Sequence, residues 1–244
     1  MKNWTASLLV LLCSVANAAA ATAANATELL EQMRARYASL KSYSDTGVII
    51  TEENGGSPTT FKEHHTFTTY FRAPKRFLFD FRADPTGSAD RFVLWIDGAE
   101  VNTWWQTTGV HEKYPPGQGA TGFAIGALPT KGAIGIISAL IFPGLQDATA
   151  LQEPRLLPAD AVDGHRCYKV TGIFSPAYGN GVVTSSSPVT LWIDAETLLI
   201  RKIFSDTSRE SPPNVISRST VTFTPRANPD VQPTVFRFAV PSPK

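Results

Sequence analysis

Between Phe71 and Trp105 the chain reads FRAPKRFLFDF, a polar break, then DRFVLWIDGAEVNTWW. In the first part Phe77, Phe79 and Phe81 alternate with Arg76, Leu78, Asp80 and Arg82. A period of two puts three phenylalanines on one sheet face and mostly charge on the other. The next run, Arg91 to Ile96, is apolar on both parities and ends at Asp97-Gly98, a dipeptide that favours a two-residue hairpin turn. Val101 and the pair Trp104-Trp105 follow. Such a surface either fills a barrel core or lines an apolar cavity. No catalytic signature accompanies it.

The beginning of the chain reads as an export signal assigned to residues 1–18. Lys2 supplies positive charge, Ala6 to Val15 is apolar, and Ala16-Asn17-Ala18 fits a small-x-small cleavage site. Neighbouring alanines allow a cut as late as residue 26. The apolar run is shorter than the roughly 20 residues a membrane-spanning helix needs. Leu12, not a small residue, precedes Cys13, so Cys13 belongs to the discarded signal rather than to a lipid anchor. The mature chain is expected to be exported, soluble and free of a transmembrane segment. Cys167 is then its only cysteine, without an intramolecular partner. It reads as a small buried apolar residue or as one able to pair between chains.

Losing Lys2 brings the 22 basic residues level with the 21 acidic ones. Neither the total nor any local run supplies the basic stripe that nucleic-acid binding requires, and a polybasic membrane patch is equally absent. An apolar partner fits this balance better than a charged one.

Residues 27–244 read as one domain. Asn25 can cap a helix with Glu28 three residues on. Leu29, Leu30, Met33, Tyr37 and Leu40 then form one apolar stripe. Strands follow over Val48–Glu53 and Phe61–Arg72, with Asn54-Gly55-Gly56 as the turn between them. An apolar helical insertion near 117–150 interrupts the pattern. Its centre, Gly132 to Phe142, is apolar all round and ends at Pro143-Gly144. It reads as a buried helix or as a mobile lid. Strands resume after Pro154: Arg166–Phe174 beyond the Asp163-Gly164 turn, Pro188–Asp194 and Leu198–Ser205 as a hairpin, then Val215–Thr224 and Thr234–Val240. About ten strands, two helical segments and no βαβ alternation give a mainly β, α+β class with an antiparallel sheet.

The reactive residues assemble nothing familiar. His64 and His65 are adjacent in a strand and point to opposite faces. His111 precedes Glu112 without the second histidine of a zinc protease. His165 follows a turn. Each is expected to be a surface or hydrogen-bonded structural histidine. Ser138 lacks a GxSxG elbow, and no glycine-rich loop opens a helix after a strand. No catalytic residue, metal site or cofactor is expected.

The ordered set of elements from about Thr27 to Pro243 resembles the LolA/LolB-like periplasmic lipoprotein carriers, and more closely an uncharacterised exported subgroup of that superfamily. It comprises the amphipathic helix ending in Tyr37 to Tyr43, Phe71-Arg72-Ala73-Pro74 followed by Phe77-Leu78-Phe79, and Leu94-Trp95-Ile96-Asp97-Gly98 with the tryptophan pair. The helical insertion and the terminal Phe236-Arg237-Phe238 before Pro241 complete it. The sequence departs from the carriers at Ala73, where they place an arginine; Arg72 lies one residue earlier, on the opposite strand face. The resemblance implies a single curved antiparallel sheet forming an unclosed half-barrel, covered on its concave side by the N-terminal helix and the insertion. It also implies a periplasmic, non-catalytic binder or carrier of a lipid or acyl chain, related to lipoprotein handling. Phe77, Phe79, Phe81, Leu94 and Ile96 are the expected cavity wall, and Ile134, Ile137 and Ile141 the lid. The alternative is a cell-envelope sensor or scaffold that binds a protein partner, which an exposed patch at Trp104-Trp105 would favour.

Overall fold

The computed structural model describes residues 25–83, 90–98, 100–114, 133–142, 151–174, 177–178, 182–183, 187–208 and 215–241. The expected signal peptide, and residues 117–132 and 143–150 of the insertion, lie outside the described residues.

Helix α1 (Ala26–Ala38) starts where the sequence places it. The Asn25 side chain accepts the Glu28 N–H at 2.9 Å and so satisfies one of the helix's free amides. Its apolar stripe of Leu29, Leu30, Met33 and Tyr37 is buried, and Leu40 continues it beyond the helix. Strands β1 (Ser42–Glu53), β2 (Phe61–Arg72), β3 (Arg76–Ala83), β4 (Arg91–Asp97), β5 (Val101–Trp105) and β6 (His111–Tyr114) then form a continuous antiparallel meander. Helix α2 (Ala133–Ile141) is the described part of the insertion. After it come β7 (Leu151–Val162), β8 (His165–Phe174), β9 (Ala177–Tyr178), β10 (Val182–Val183), β11 (Ser187–Asp194), β12 (Ile200–Asp206), β13 (Ser217–Phe223) and β14 (Arg226–Ala227).

Twelve strands make one sheet in the order β6-β5-β4-β3-β2-β1-β13-β12-β11-β8-β7, with β14 beside β1, while β9 and β10 pair separately. β6 and β7 are its two ends and do not meet, so the sheet is an open antiparallel half-barrel. α1 and α2 pack in one apolar cluster with the inward side chains of both halves. This is the architecture implied by the resemblance.

The C-terminal segment explains why β4 is apolar on both parities. Inward, Phe92, Leu94 and Ile96 join the helix-covered core. Outward, Val93 and Trp95, with Leu78 and Trp104, form a second core under Val231, Phe236 and Phe238. Thr234–Val240, expected as a strand, is instead a 3-10 turn (Pro233–Phe236) followed by unpaired chain. Pro233 lacks an amide and has a φ preset for a helical turn. Burial of Phe236 and Val231 against the outer face supplies the packing that strand pairing would have given.

Smaller differences have local causes. Against about ten expected strands the main sheet has twelve, β6 and the two-residue β14 being unexpected, and β9–β10 is a further pair. The link from Asp97 to Val101 is one residue longer than a two-residue turn, and Gly98 takes φ +110° in it. β7 starts ahead of Pro154, because as an end strand with two register shifts it tolerates prolines. Asp163 and Gly164 both take positive φ, as a tight two-residue hairpin requires.

Candidate functional site

The period of two along β3 and β4 brings the expected wall together. Phe77 lies opposite Ile96, Phe79 opposite Leu94 and Phe81 opposite Phe92 on neighbouring strands. Phe77, Phe79 and Leu94 are fully buried, and Phe81 and Ile96 nearly so. Phe67 of β2 extends the patch, with its ring 5.8 Å from Phe79 and 5.5 Å from Phe223. That arrangement depends on Gly47, where a Cβ would sit 2.2 Å from the Phe67 ring and 2.3 Å from the Thr222 carbonyl oxygen.

α2 packs against α1, β12 and β13 and shares one apolar cluster with this wall. Ile137 and Ile141 of the expected lid are buried in the same cluster as the wall. Ile134 belongs to α2, but its side chain lies outside the described residues. Sequence reasoning missed Ile136 and Leu140, which are equally buried. It also missed Phe142, whose ring stands edge-on to Phe77 at 5.2 Å and to Phe71 at 5.8 Å. Wall and lid thus pack directly against each other. Two hollows among the described residues, of about 500 and 470 Å³, lie elsewhere, one against outward threonines of β1, β2 and β13, the other at the rim beside Pro74 and Pro233.

Polar groups interrupt the concave face in two places. Asp45 of β1 is buried, and Tyr43 Oη donates to its Oδ2 at 2.7 Å. Burial pushes the Asp45 carboxyl up to about 6, against hydrogen bonds from Thr69 and Tyr43 that favour its charged form. Tyr37 Oη, also buried, accepts the Ile200 amide at 3.0 Å and ties α1 to β12. Burial and the nearby Asp45 charge raise the Tyr43 hydroxyl; for Tyr37 the same two effects outweigh the Ile200 hydrogen bond, so both stay protonated.

The second place is a row of hydroxyls. Thr51 of β1 faces Ser219 of β13, which faces Ser205 of β12, and all three are buried. His65 flanks the row from β2. Among the described residues neither of its ring nitrogens, nor Ser205 Oγ nor Ser219 Oγ, has a hydrogen-bond partner. His65 Nε2 lies 3.4 Å from Glu63 Oε2, a charge contact only when the ring is protonated. The expectation for the histidines therefore holds for exposed His64, for His111, whose Nε2 contacts Asn102 Oδ1 at 3.1 Å, and for His165, 3.3 Å from Asp194. It fails for His65, whose strand parity turns it inward.

Other features are structural. Asp194 accepts the amides of Glu196 and Thr197 and pairs with Arg201 at 2.6 Å, which locks the β11–β12 turn. Cys167 is buried beside Val162 and Trp192. Trp104 is buried under Phe238, and Trp105 donates to Asp90 Oδ1 at 2.7 Å, so the pair forms no exposed patch. Among the described residues no three His, Cys, Asp or Glu side chains converge as metal ligands, and no helix is long and apolar enough to cross a membrane.

No family model and no curated protein matches this chain. Several solved structures are similar along most of its length. LprF from Mycobacterium bovis is 16% identical with a TM-score of 0.44, covering 89% of this chain and 96% of its own. The Mycobacterium tuberculosis lipoprotein LppX is 15% identical at 0.42, covering 84% and 98%. A LolA superfamily protein from Nitrosomonas europaea is 11% identical at 0.41, covering 88% and 98%.

Proposed function

We propose that this protein is a periplasmic binding or carrier protein for an apolar ligand, a lipid or acyl chain, and that α2 is the displaceable cover of its seat. The observation that carries this reading is the pairing of an aromatic concave wall with a nine-residue helix that has no charged residue in it. Such a helix is too short to be stable by itself in water and forms only because it is packed.

Magnitudes favour exchange. The four buried side chains Ile136, Ile137, Leu140 and Ile141 contribute roughly 6–12 kcal/mol in total, at about 1.5–3 each. An acyl chain gains about 0.8 kcal/mol per buried methylene, so about eight to fifteen methylenes match what α2 loses on leaving. An apolar ligand and the helix thus compete for one surface on nearly equal terms, which suits uptake and release.

The test is titration with parinaric acid, a fluorescent fatty acid. Saturable uptake near one equivalent, with loss of amide protection in α2 on hydrogen exchange, is expected. No uptake by folded protein overturns the proposal. The protein-partner reading gains nothing from Trp104, which is covered by the protein's own C-terminal segment.

A further inference from the structure

The concave face changes character along its strands. One row runs across neighbouring strands as Ile49, Val221, Ile203, Leu191 and Val170 and is wholly apolar. The next row on the same face is Thr51, Ser219 and Ser205, with Glu63 opposite Thr51 and His65 opposite Ile49. Buried polar side chains almost always have a partner in the protein or an ordered water. Here Ser219 and Ser205 sit side by side, and His65 lies across β1 in the adjoining row; each is more than nine-tenths buried and, among the described residues, without a hydrogen-bond partner.

We infer that this row is the head-group subsite of the carrier, and that it takes an uncharged, hydroxyl-bearing head such as the glycerol of a monoacylglycerol. The inference rests on the carrier reading and deepens it.

Three features set the chemistry. Serine and threonine hydroxyls both donate and accept, and a neutral imidazole does the same through its two nitrogens, which matches an alcohol. Burying an unpaired charge costs far more than burying a hydrogen-bonded hydroxyl. Finally, the inward positions of β1, β2 and β13 around the row carry Glu53 and Glu63 but, among the described residues, no lysine or arginine. A carboxylate or phosphate head would find no counter-ion there and would face two acids. A chain lying along the apolar rows would reach the hydroxyls at its polar end.

The experiment is displacement of bound parinaric acid by three amphiphiles with the same fourteen-carbon chain: 1-monomyristoylglycerol, myristate and tetradecylphosphocholine. The wild type should be displaced by the monoacylglycerol at roughly tenfold lower concentration than by the other two. A Ser205→Ala/Ser219→Ala double variant should lose that preference, so that all three compounds displace the probe at similar concentrations. It should also melt no lower than the wild type without ligand, since it removes unsatisfied buried hydroxyls. Equal displacement by all three, a preference for myristate, or an unchanged preference in the double variant overturns the inference and leaves the carrier reading intact. Absence of parinaric acid binding overturns both.

Discussion

The sheet is covered on both faces, and the two covers are built differently. The outer one, from Asn228 to Val240, is tied down by polar contacts. Asn228 Oδ1 accepts the amides of Lys41 and Ser42, Ser42 Oγ donates to the Pro229 carbonyl, and Arg72 reaches the Val231 carbonyl at 3.4 Å. The Arg91 guanidinium lies over the Phe238 ring, which also touches Trp95 and Trp104. The inner cover, α2, meets the sheet through aliphatic and ring contacts. Directional bonds hold a segment in one place, whereas apolar contact can be made as well by another apolar body. The outer cover is therefore part of the fold, and the inner one is the cover that the proposed function assigns to replacement by a ligand.

The largest effect should come from the outer cover. Phe236 is fully buried, so Phe236→Ala should destabilise by about 3–5 kcal/mol in urea denaturation. Parinaric acid affinity of the folded fraction should not change. A matching loss of affinity would mean that the two covers are coupled.

Next is Asp45, inside the helix-covered region. Its carboxyl is raised from an ordinary 3.8 to about 6, so the folded state holds the proton more tightly than the unfolded chain. Stability is then greatest below about pH 4 as far as this group is concerned, and is lost as pH rises to about 6, by on the order of 2–3 kcal/mol. Asp45→Asn should flatten that part of the stability–pH profile. An unchanged profile would show that Asp45 is not the group responsible.

A smaller change is expected from Phe142→Ala, which removes the half-buried ring joining α2 to Phe71 and Phe77. It should cost about 1–2 kcal/mol and speed parinaric acid uptake in stopped-flow mixing. Slower uptake would contradict the assignment of α2 as the displaceable cover. The smallest effect belongs to exposed Arg237, 3.6 Å from Asp97 at the edge of the outer cover. Arg237→Ala should shift stability by about 0.5 kcal/mol or less.

Much of this arrangement was legible in the sequence, where local periodicity and tertiary packing agree. The α1 stripe, the Phe77–Phe79–Phe81 alternation, the β7–β8 and β11–β12 hairpins and the apolar α2 all follow from spacing and turn residues. The outer cover was not legible: Thr234–Val240 has strand-like composition, and only its distant contact with Trp95 and Trp104 makes it a 3-10 turn and strap. Nor was the polar part of the candidate site. Tyr43 and Ile49 share the parity of Asp45, which could have marked it as inward. Likewise Phe67 and Phe71 share the parity of His65. The hydroxyl row joins β1 to the distant consecutive strands β12 and β13, and only their register brings Thr51, Ser219 and Ser205 together.

The most direct test of the concave face as a ligand seat is mass spectrometry of an organic extract of the protein purified from its native cell envelope. The account predicts one acyl compound per chain, recovered near stoichiometry. A clean extract from protein that is folded by circular dichroism would contradict it and identify the concave face as a filled core.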